Sequence, residues 1–174
     1  MLRNPRNREE KVLKSALRSF GSEDFTEDYV LLVNDRREVF ALSKELANFI
    51  ERFKLNFVHV GIKVGEIGSR RFRFTIEGSF YLSKRKKRVY VDEKGEMLFL
   101  YGRDIFARSV VEVTDDVREN DVVFVCNKRG DIIGLGRSRF NAERYWKVEG
   151  ERIVVENLVD RGEYLRKEKT YSAF

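Results

Sequence analysis

Between residues 110 and 160 the sequence carries four short runs rich in β-branched residues: VVEV (110–113), DVVFVC (121–126), DIIGLGRS (131–138) and RIVVENLVD (152–160). Short strands this closely spaced, broken by turn signals, predict a small β-barrel or sandwich. The first half has a different texture. REEKVLKSALRSF (8–20) puts Val12, Leu13, Ala16, Leu17 and Phe20 on one side at helical spacing, and Gly21 is a natural stop. YVLLVND (29–35) and REVFAL (37–42) read as a hairpin. Ser43 is placed to cap a second helix over 44–54, with Leu46, Phe49, Ile50 and Phe53 as its apolar stripe. NFVHVGIKVGEIG (56–68) and RRFRFTIEGSFYL (70–82) alternate and predict strands. VYVD (89–92) adds another strand, EKGE reads as a turn, and GRDIFAR (102–108) fits a short helix. The expected fold class is α+β: an N-terminal α/β domain with antiparallel sheet and helices (residues 1–93), then a small C-terminal β-barrel (residues 94–174).

Charge is distributed unevenly. Residues 1–90 hold 20 Lys and Arg against 12 Asp and Glu, whereas residues 91–174 hold 15 against 17, so a net charge of +6 divides as +8 and −2. A basic excess gathered in one half favours a polyanionic partner, nucleic acid first and an anionic membrane second. Charged residues make up 37% of the chain and glutamine is absent. Ion-pair-rich compositions with few thermolabile residues are typical of thermophiles. No run of about 18 apolar residues occurs, so no membrane span is expected. The charged N-terminus lacks the apolar stretch of a signal peptide, which favours a cytoplasmic location.

Catalytic signatures are weak. Gly134-Leu135-Gly136 resembles part of a dinucleotide fingerprint, but the third glycine is missing and no apolar helix clearly follows. A phosphate-binding P-loop would need a downstream Lys-Ser/Thr pair. Instead the stretch reads as a hairpin turning at NKRG, with Gly134 and Gly136 on one face for close approach or close packing, and Leu135 pointing into the barrel. His59 sits in an alternating apolar run, and one histidine and one cysteine make neither a triad nor a metal set. Cys126 reads as a small apolar packer. No metal, cofactor or catalytic residue is expected.

Candidate phosphate contacts are easier to find. Arg71 and Arg73 project from one face of a strand about 6.6–6.8 Å apart, close to the spacing of successive phosphates. A solvated strand face explains them equally well. Lys84–Arg88 is a run of five cations, which phosphate would justify and which can also be merely solvated. EYLRKEK (163–169) sets Arg166, Lys167 and Lys169 beside Tyr164 and Tyr171, a mix that suits phosphate contacts with base stacking. The alternative is a charged, frayed tail.

Three stretches of the second half, YGRDIFARSV (101–110), DVVFVCNKRGDIIGLGRS (121–138) and LVDRGEYLR (158–166), resemble a PUA domain, the small RNA-binding barrel. Such loops usually read Pro-Gly where this chain has Arg108-Ser109, so Arg108 adds a charge there. FLYGRDIFARSV with DRGEYLRKEKTY, preceded by VFALSKELANFI, NFVHVGIKVGEI and RFRFTIEGSFYL in order, resembles the Nip-seven family over roughly residues 8–172. That family comprises a eukaryotic large-ribosomal-subunit biogenesis factor and its archaeal homologues. The resemblance implies an N-terminal α/β domain and a C-terminal PUA domain without catalytic activity. It implies binding of single-stranded, uridine-rich RNA in pre-rRNA processing and large-subunit assembly, with other assembly or RNA-processing proteins as partners. It also directs attention to Arg166, Lys167 and Lys169, with Arg161 nearby; Arg103 and Arg108 would line the same surface. A monomer is expected. The alternative is a protein-interaction adaptor whose RNA contact is incidental; an RNA-modifying enzyme would need a pocket for which the sequence offers no residues.

Overall fold

The computed structural model describes residues 1–53, 57, 59–69, 71–82 and 86–167, with the backbone alone for Tyr164 and Leu165. The chain divides into two compact units, Met1–Lys84 and Arg85–Phe174.

The first unit opens with α1 (Asn7–Phe20) and a one-turn helix α2 (Phe25–Asp28). α1 stops where glycine allows a left-handed turn. Gly21 has φ 66°, and the amides of Gly21 and Ser22 close back onto the carbonyls of Arg18 and Leu17. β1 (Tyr29–Val33) and β2 (Glu38–Ser43) form the expected hairpin, followed by α3 (Lys44–Arg52), whose first turn is capped by Ser43 Oγ accepting from the Leu46 amide at 3.2 Å. β3 (Ile62–Ile67) and β4 (Phe72–Phe74) complete a four-stranded antiparallel sheet in the order β1-β2-β3-β4. Leu13 and Leu17 of α1 pack with Val33, Val39, Ala41, Val64 and Ile67 as its core. The stripe expected on α3 is only partly covered: Leu46 and Ile50 are half-buried, whereas Phe49 and Phe53 are exposed.

The strand expected over 70–82 stops at Phe74, and α4 (Ile76–Leu82) follows. Thr75 causes the change. Its hydroxyl oxygen accepts from the Gly78 amide at 2.9 Å while the hydroxyl donates to the Lys63 carbonyl at 2.7 Å, so it caps the helix and ties it to β3. Gly78 lies so close to β3 that a Cβ there would stand 2.1 Å from the Val64 carbonyl oxygen. The alternation of Phe72, Phe74 and Ile76 runs across a helix start.

The second unit begins earlier than the 93/94 boundary read from sequence, because β5 (Arg88–Val91) belongs to its sheet. β5 runs parallel to β8 (Val122–Cys126) and antiparallel to β7 (Val110–Val113). EKGE is not a turn. It opens α5 (Glu93–Leu100), capped by Asp92 Oδ1 accepting from the Gly95 amide at 2.7 Å. The helix expected at 102–108 is instead the short strand β6 (Ile105–Phe106) and a 3-10 turn, Ala107–Ser109. Gly102 (φ 79°) separates α5 from it. The amides of Gly102 and Arg103 bond the carbonyls of Phe99 and Leu98, the pattern that ends a helix.

β9 (Ile132–Ser138), β10 (Ile153–Asp160) and the terminal helix α6 (Gly162–Lys167) complete the unit. The sheet order is β6-β10-β9-β8-β5-β7. Its two edge strands, β6 and β7, are joined by only three residues, so the sheet curls until its edges nearly meet, as in a small barrel. Val89, Val91, Phe99, Val123, Val125, Val154 and Val155 fill it. Gly134 and Gly136 pair with Val125 and Val123, both core residues, so the glycine face looks inward. A Cβ at 134 would lie 2.8 Å from Phe99, and one at 136 would lie 2.2 Å from Val155. Leu135, expected inside, belongs to the opposite face and is nevertheless buried there.

Candidate nucleic-acid interface

β10 ends at Asp160, turns at Arg161 and enters α6, and this turn organises the site. Asp160 is only 3% exposed. Arg166 donates to both of its carboxylate oxygens at 2.9 Å, a forked pair, and also donates to the carbonyl of Leu100. That carbonyl is at the end of α5, where helix carbonyls lack internal partners. Asn157 of β10 supplies the rest. Its side-chain amide donates to the Phe99 carbonyl at 2.9 Å and to Asp160 at 3.1 Å, and its backbone amide donates to Asp104 at 2.8 Å. Glycine is required where these segments touch. A Cβ at Gly162 would stand 1.9 Å from the Leu100 oxygen, and one at Gly102 would stand 3.1 Å from the Arg166 guanidinium. Phe99-Leu100-Tyr101-Gly102 and Gly162–Arg166 therefore form one clamp.

The clamp changes the reading of Arg166. Its charge is matched by a buried carboxylate, and hydrogen bonding to Asp160 raises its pKa above the ordinary arginine value. It holds the surface together more than it offers a charge to it. Around the clamp lie three further exposed cations. Arg103 is exposed and has no ion-pair partner among the described residues. Lys167 is exposed and pairs with Glu163 one turn earlier. Arg161 is exposed, and its amide bonds the Ile133 carbonyl at 3.0 Å. Tyr101, which the sequence reading had not singled out as a contact, is 67% exposed between the helix end and Arg103. Lys169 and Tyr171 lie outside the described residues.

Arg108 sits at the other end of the β6–β10 pairing. It forms an ion pair with Glu151 and lies over the Phe106 ring, 5.7 Å from its centroid. The Ala107 and Arg108 amides bond the carbonyls of Arg152 and Gly150. Arg71 and Arg73 belong to the other unit. Both are exposed, and Arg73 lies across from Glu66 in the β3–β4 register. Of the 84–88 run, Lys84 and Arg85 lie outside the described residues. Lys87 is committed elsewhere: its ammonium pairs with Asp121 at 2.6 Å and its amide bonds Asp116.

No group of histidine, cysteine and carboxylate side chains able to hold a metal occurs among the described residues, and none of their helices is long and apolar enough to cross a membrane. Burial pushes the Cys126 thiol up to about 11, so it is a poor nucleophile.

A near-closed sheet of this order, with its helix end clamped by the last strand, defines a PUA domain preceded by a smaller α/β unit. The second unit matches the UPF0113 PUA domain over residues 87–169, and the first matches the NIP7/UPF0113 pre-PUA domain over residues 2–76. The chain is 50% identical to a UPF0113 protein of Archaeoglobus fulgidus over 175 residues, 99% of this chain and 98% of that one. It is 31% identical to the zebrafish homologue of 60S ribosome subunit biogenesis protein NIP7 over 144 residues, 80% of this chain and 78% of that one. A solved structure described as a conserved PUA domain protein from Thermoplasma acidophilum shares the fold with a TM-score of 0.66 at 17% identity, covering 95% of this chain and 97% of that one. This chain belongs to the NIP7/UPF0113 family.

Proposed function

We propose that the protein is a non-catalytic RNA-binding factor of large-ribosomal-subunit assembly that holds single-stranded, uridine-rich stretches of precursor rRNA. The observation that carries this reading is the exposed set of Tyr101, Arg103, Arg161 and Lys167 around the Arg166 clamp of a PUA domain. Cations beside an exposed ring serve phosphate contact and base stacking together. Relatives named as 60S ribosome subunit biogenesis proteins support the assembly role. In this reading Lys169 is a further phosphate contact on the strength of the family resemblance alone, Arg108 adds a charge at the other end of the β6–β10 pairing, Arg166 positions the clamp surface, and the protein acts as a cytoplasmic monomer alongside other assembly proteins. Crosslinking in cells followed by sequencing of the bound RNA is the test. Enrichment of large-subunit precursor rRNA is expected; enrichment of unrelated transcripts alone would reject the proposal.

One observation favours a second reading, an adaptor for ribosome-assembly proteins. Phe49 and Phe53 of α3 are 52% and 55% exposed, with ring centroids 4.7 Å apart. An assembly protein retained after nuclease treatment, and lost on Phe49→Ser/Phe53→Ser substitution, would support it.

A further inference from the structure

The N-terminal unit carries an arginine in a place that favours glycine. The β1–β2 hairpin turns through Asn34–Arg37, and Arg37 has φ 62°. In hairpin loops of this kind the left-handed position is usually glycine or asparagine. The turn is held from several sides. The Arg37 amide bonds the Asn34 carbonyl at 3.0 Å, the Asn34 side-chain oxygen accepts from the amides of Arg36 and Glu38, and the Arg37 carbonyl accepts from Ile67 at 2.9 Å. A non-glycine residue fixed in this conformation is a pointer to function.

What Arg37 does there is line a cavity of about 140 Å³, together with Arg8 from the first turn of α1. Gly68 and Ser69 of the β3–β4 turn form another wall, and Val12 and Ile67 supply an apolar floor. Gly68 donates to the Arg71 carbonyl at 2.8 Å, so Arg71 adjoins the same turn. Three carboxylates stand nearby, and each already has a cation. Glu9, which also lines the cavity, is forked by Arg3 at 2.7 and 3.0 Å and accepts from the Arg6 amide. Asp35 pairs with the N-terminal ammonium at 2.7 Å, and Glu38 pairs with Lys63 at 2.6 Å. Among the described residues Arg8, Arg36, Arg37 and Arg71 have no anionic partner.

We propose that this cavity is a second anion site, taking one phosphate group of an RNA chain between Arg8 and Arg37, with Arg36 and Arg71 flanking it. The volume lies well below the ~300–1,000 Å³ of sites for small organic ligands, which favours a single phosphate group over a whole nucleoside. Two arginines without an anionic partner among the described residues, at the wall of a cavity with an apolar floor, attract an anion more strongly than the same charges spread on an open surface. The site belongs to the pre-PUA unit and does not depend on the PUA-domain surface.

Titration of the isotope-labelled full chain with inorganic phosphate, read by amide NMR, tests the site without RNA. Saturable shifts at Arg8, Arg37, Gly68 and Ser69 are expected. In Arg8→Ala/Arg37→Gly they should require at least about tenfold more phosphate, and in Arg103→Ala/Lys167→Ala they should be unchanged. Arg37→Gly suits the backbone, since glycine adopts positive φ without strain, so loss of binding cannot be attributed to a lost fold. Absence of saturable shifts, or equal shifts in Arg8→Ala/Arg37→Gly, would overturn the proposal. Single-stranded RNA with a 5′-hydroxyl or a 5′-phosphate then identifies the source. Equal weakening of both by Arg8→Ala/Arg37→Gly assigns an internal phosphodiester, and weakening of the phosphorylated RNA alone assigns the chain end. Wild-type affinity for both would remove RNA as the ligand.

Discussion

Arg166 forks onto both oxygens of Asp160, a carboxylate almost wholly withdrawn from water, and from the same guanidinium reaches the end of α5. Breaking this contact leaves a buried acid without its cation, with only the Asn157 amide still donating to it among the described residues, and deprives the Leu100 carbonyl of the Arg166 donor. Arg166→Ala should therefore lower the melting temperature by roughly 5 °C or more. Arg166→Lys should recover only part of the loss, because an ammonium cannot make the fork. The slope of RNA affinity against salt should stay close to wild type. Thermal unfolding with a parallel salt series checks both; a stable protein with a flattened slope would mean that Arg166 is a phosphate contact.

The glycine face of β9 gives a second expectation. Gly136→Ala would place a methyl group 2.2 Å from Val155 and 2.8 Å from the Glu156 carbonyl oxygen. Overpacking of this kind costs about 1–3 kcal/mol. Gly130→Ala meets no neighbour within 4 Å but strains a residue at φ 87°, so it should show only the turn penalty. Urea unfolding of the two variants separates crowding from backbone strain.

Acid should loosen the first unit through two carboxylates. Hydrogen bonding to Arg3 holds Glu9 at about 2, and hydrogen bonding to Lys63 and Asn34 holds Glu38 at about 2, against an ordinary value of 4.5. A depressed folded pKa contributes stability that is full above the unfolded value and is lost as pH falls toward the folded one. Stability should therefore drop between about pH 5 and pH 2. Arg3→Ala/Lys63→Ala should lower the plateau near neutrality and flatten that drop. Urea midpoints measured across the window check the sign.

Cys126 should be silent in the native state. Its thiol is buried, with its pKa raised to about 11. Reaction with a thiol reagent at pH 8 should proceed at the rate of unfolding; fast labelling of the folded protein would contradict this.

Much of the fold was legible because its signals are local. α1, the β1–β2 hairpin and β7 to β10 follow from periodicity and turn residues that sit within each segment. The misread elements all depended on a cap or a distant contact. Thr75 starts a helix inside an alternating run because its hydroxyl also reaches Lys63, twelve residues away. Asp92 turns EKGE into the first turn of α5, and β5, whose strand character is legible over 89–92, is assigned to the second sheet only by its pairing with β7 and β8. The interface was half legible. Its basic residues stand out in the sequence, but a paired arginine and a free one read alike. Only the meeting of Asp160, Leu100 and Arg166 sets Arg166 apart from Arg103 and Lys167. The strained Arg37 carried no sequence signal, since NDRR reads as an ordinary hairpin turn.

In the proposed function the cations around the clamp hold RNA through its phosphates. Anisotropy of labelled, uridine-rich single-stranded RNA with the full chain, titrated from 50 to 200 mM salt, tests it most directly. Each lost phosphate contact should reduce the slope of log affinity against log salt by about 0.7. Arg103→Ala/Lys167→Ala, with an unchanged melting temperature, should bind more weakly at low salt and with a slope shallower by about 1.4. Wild-type affinity and an unchanged slope in that variant would contradict the account.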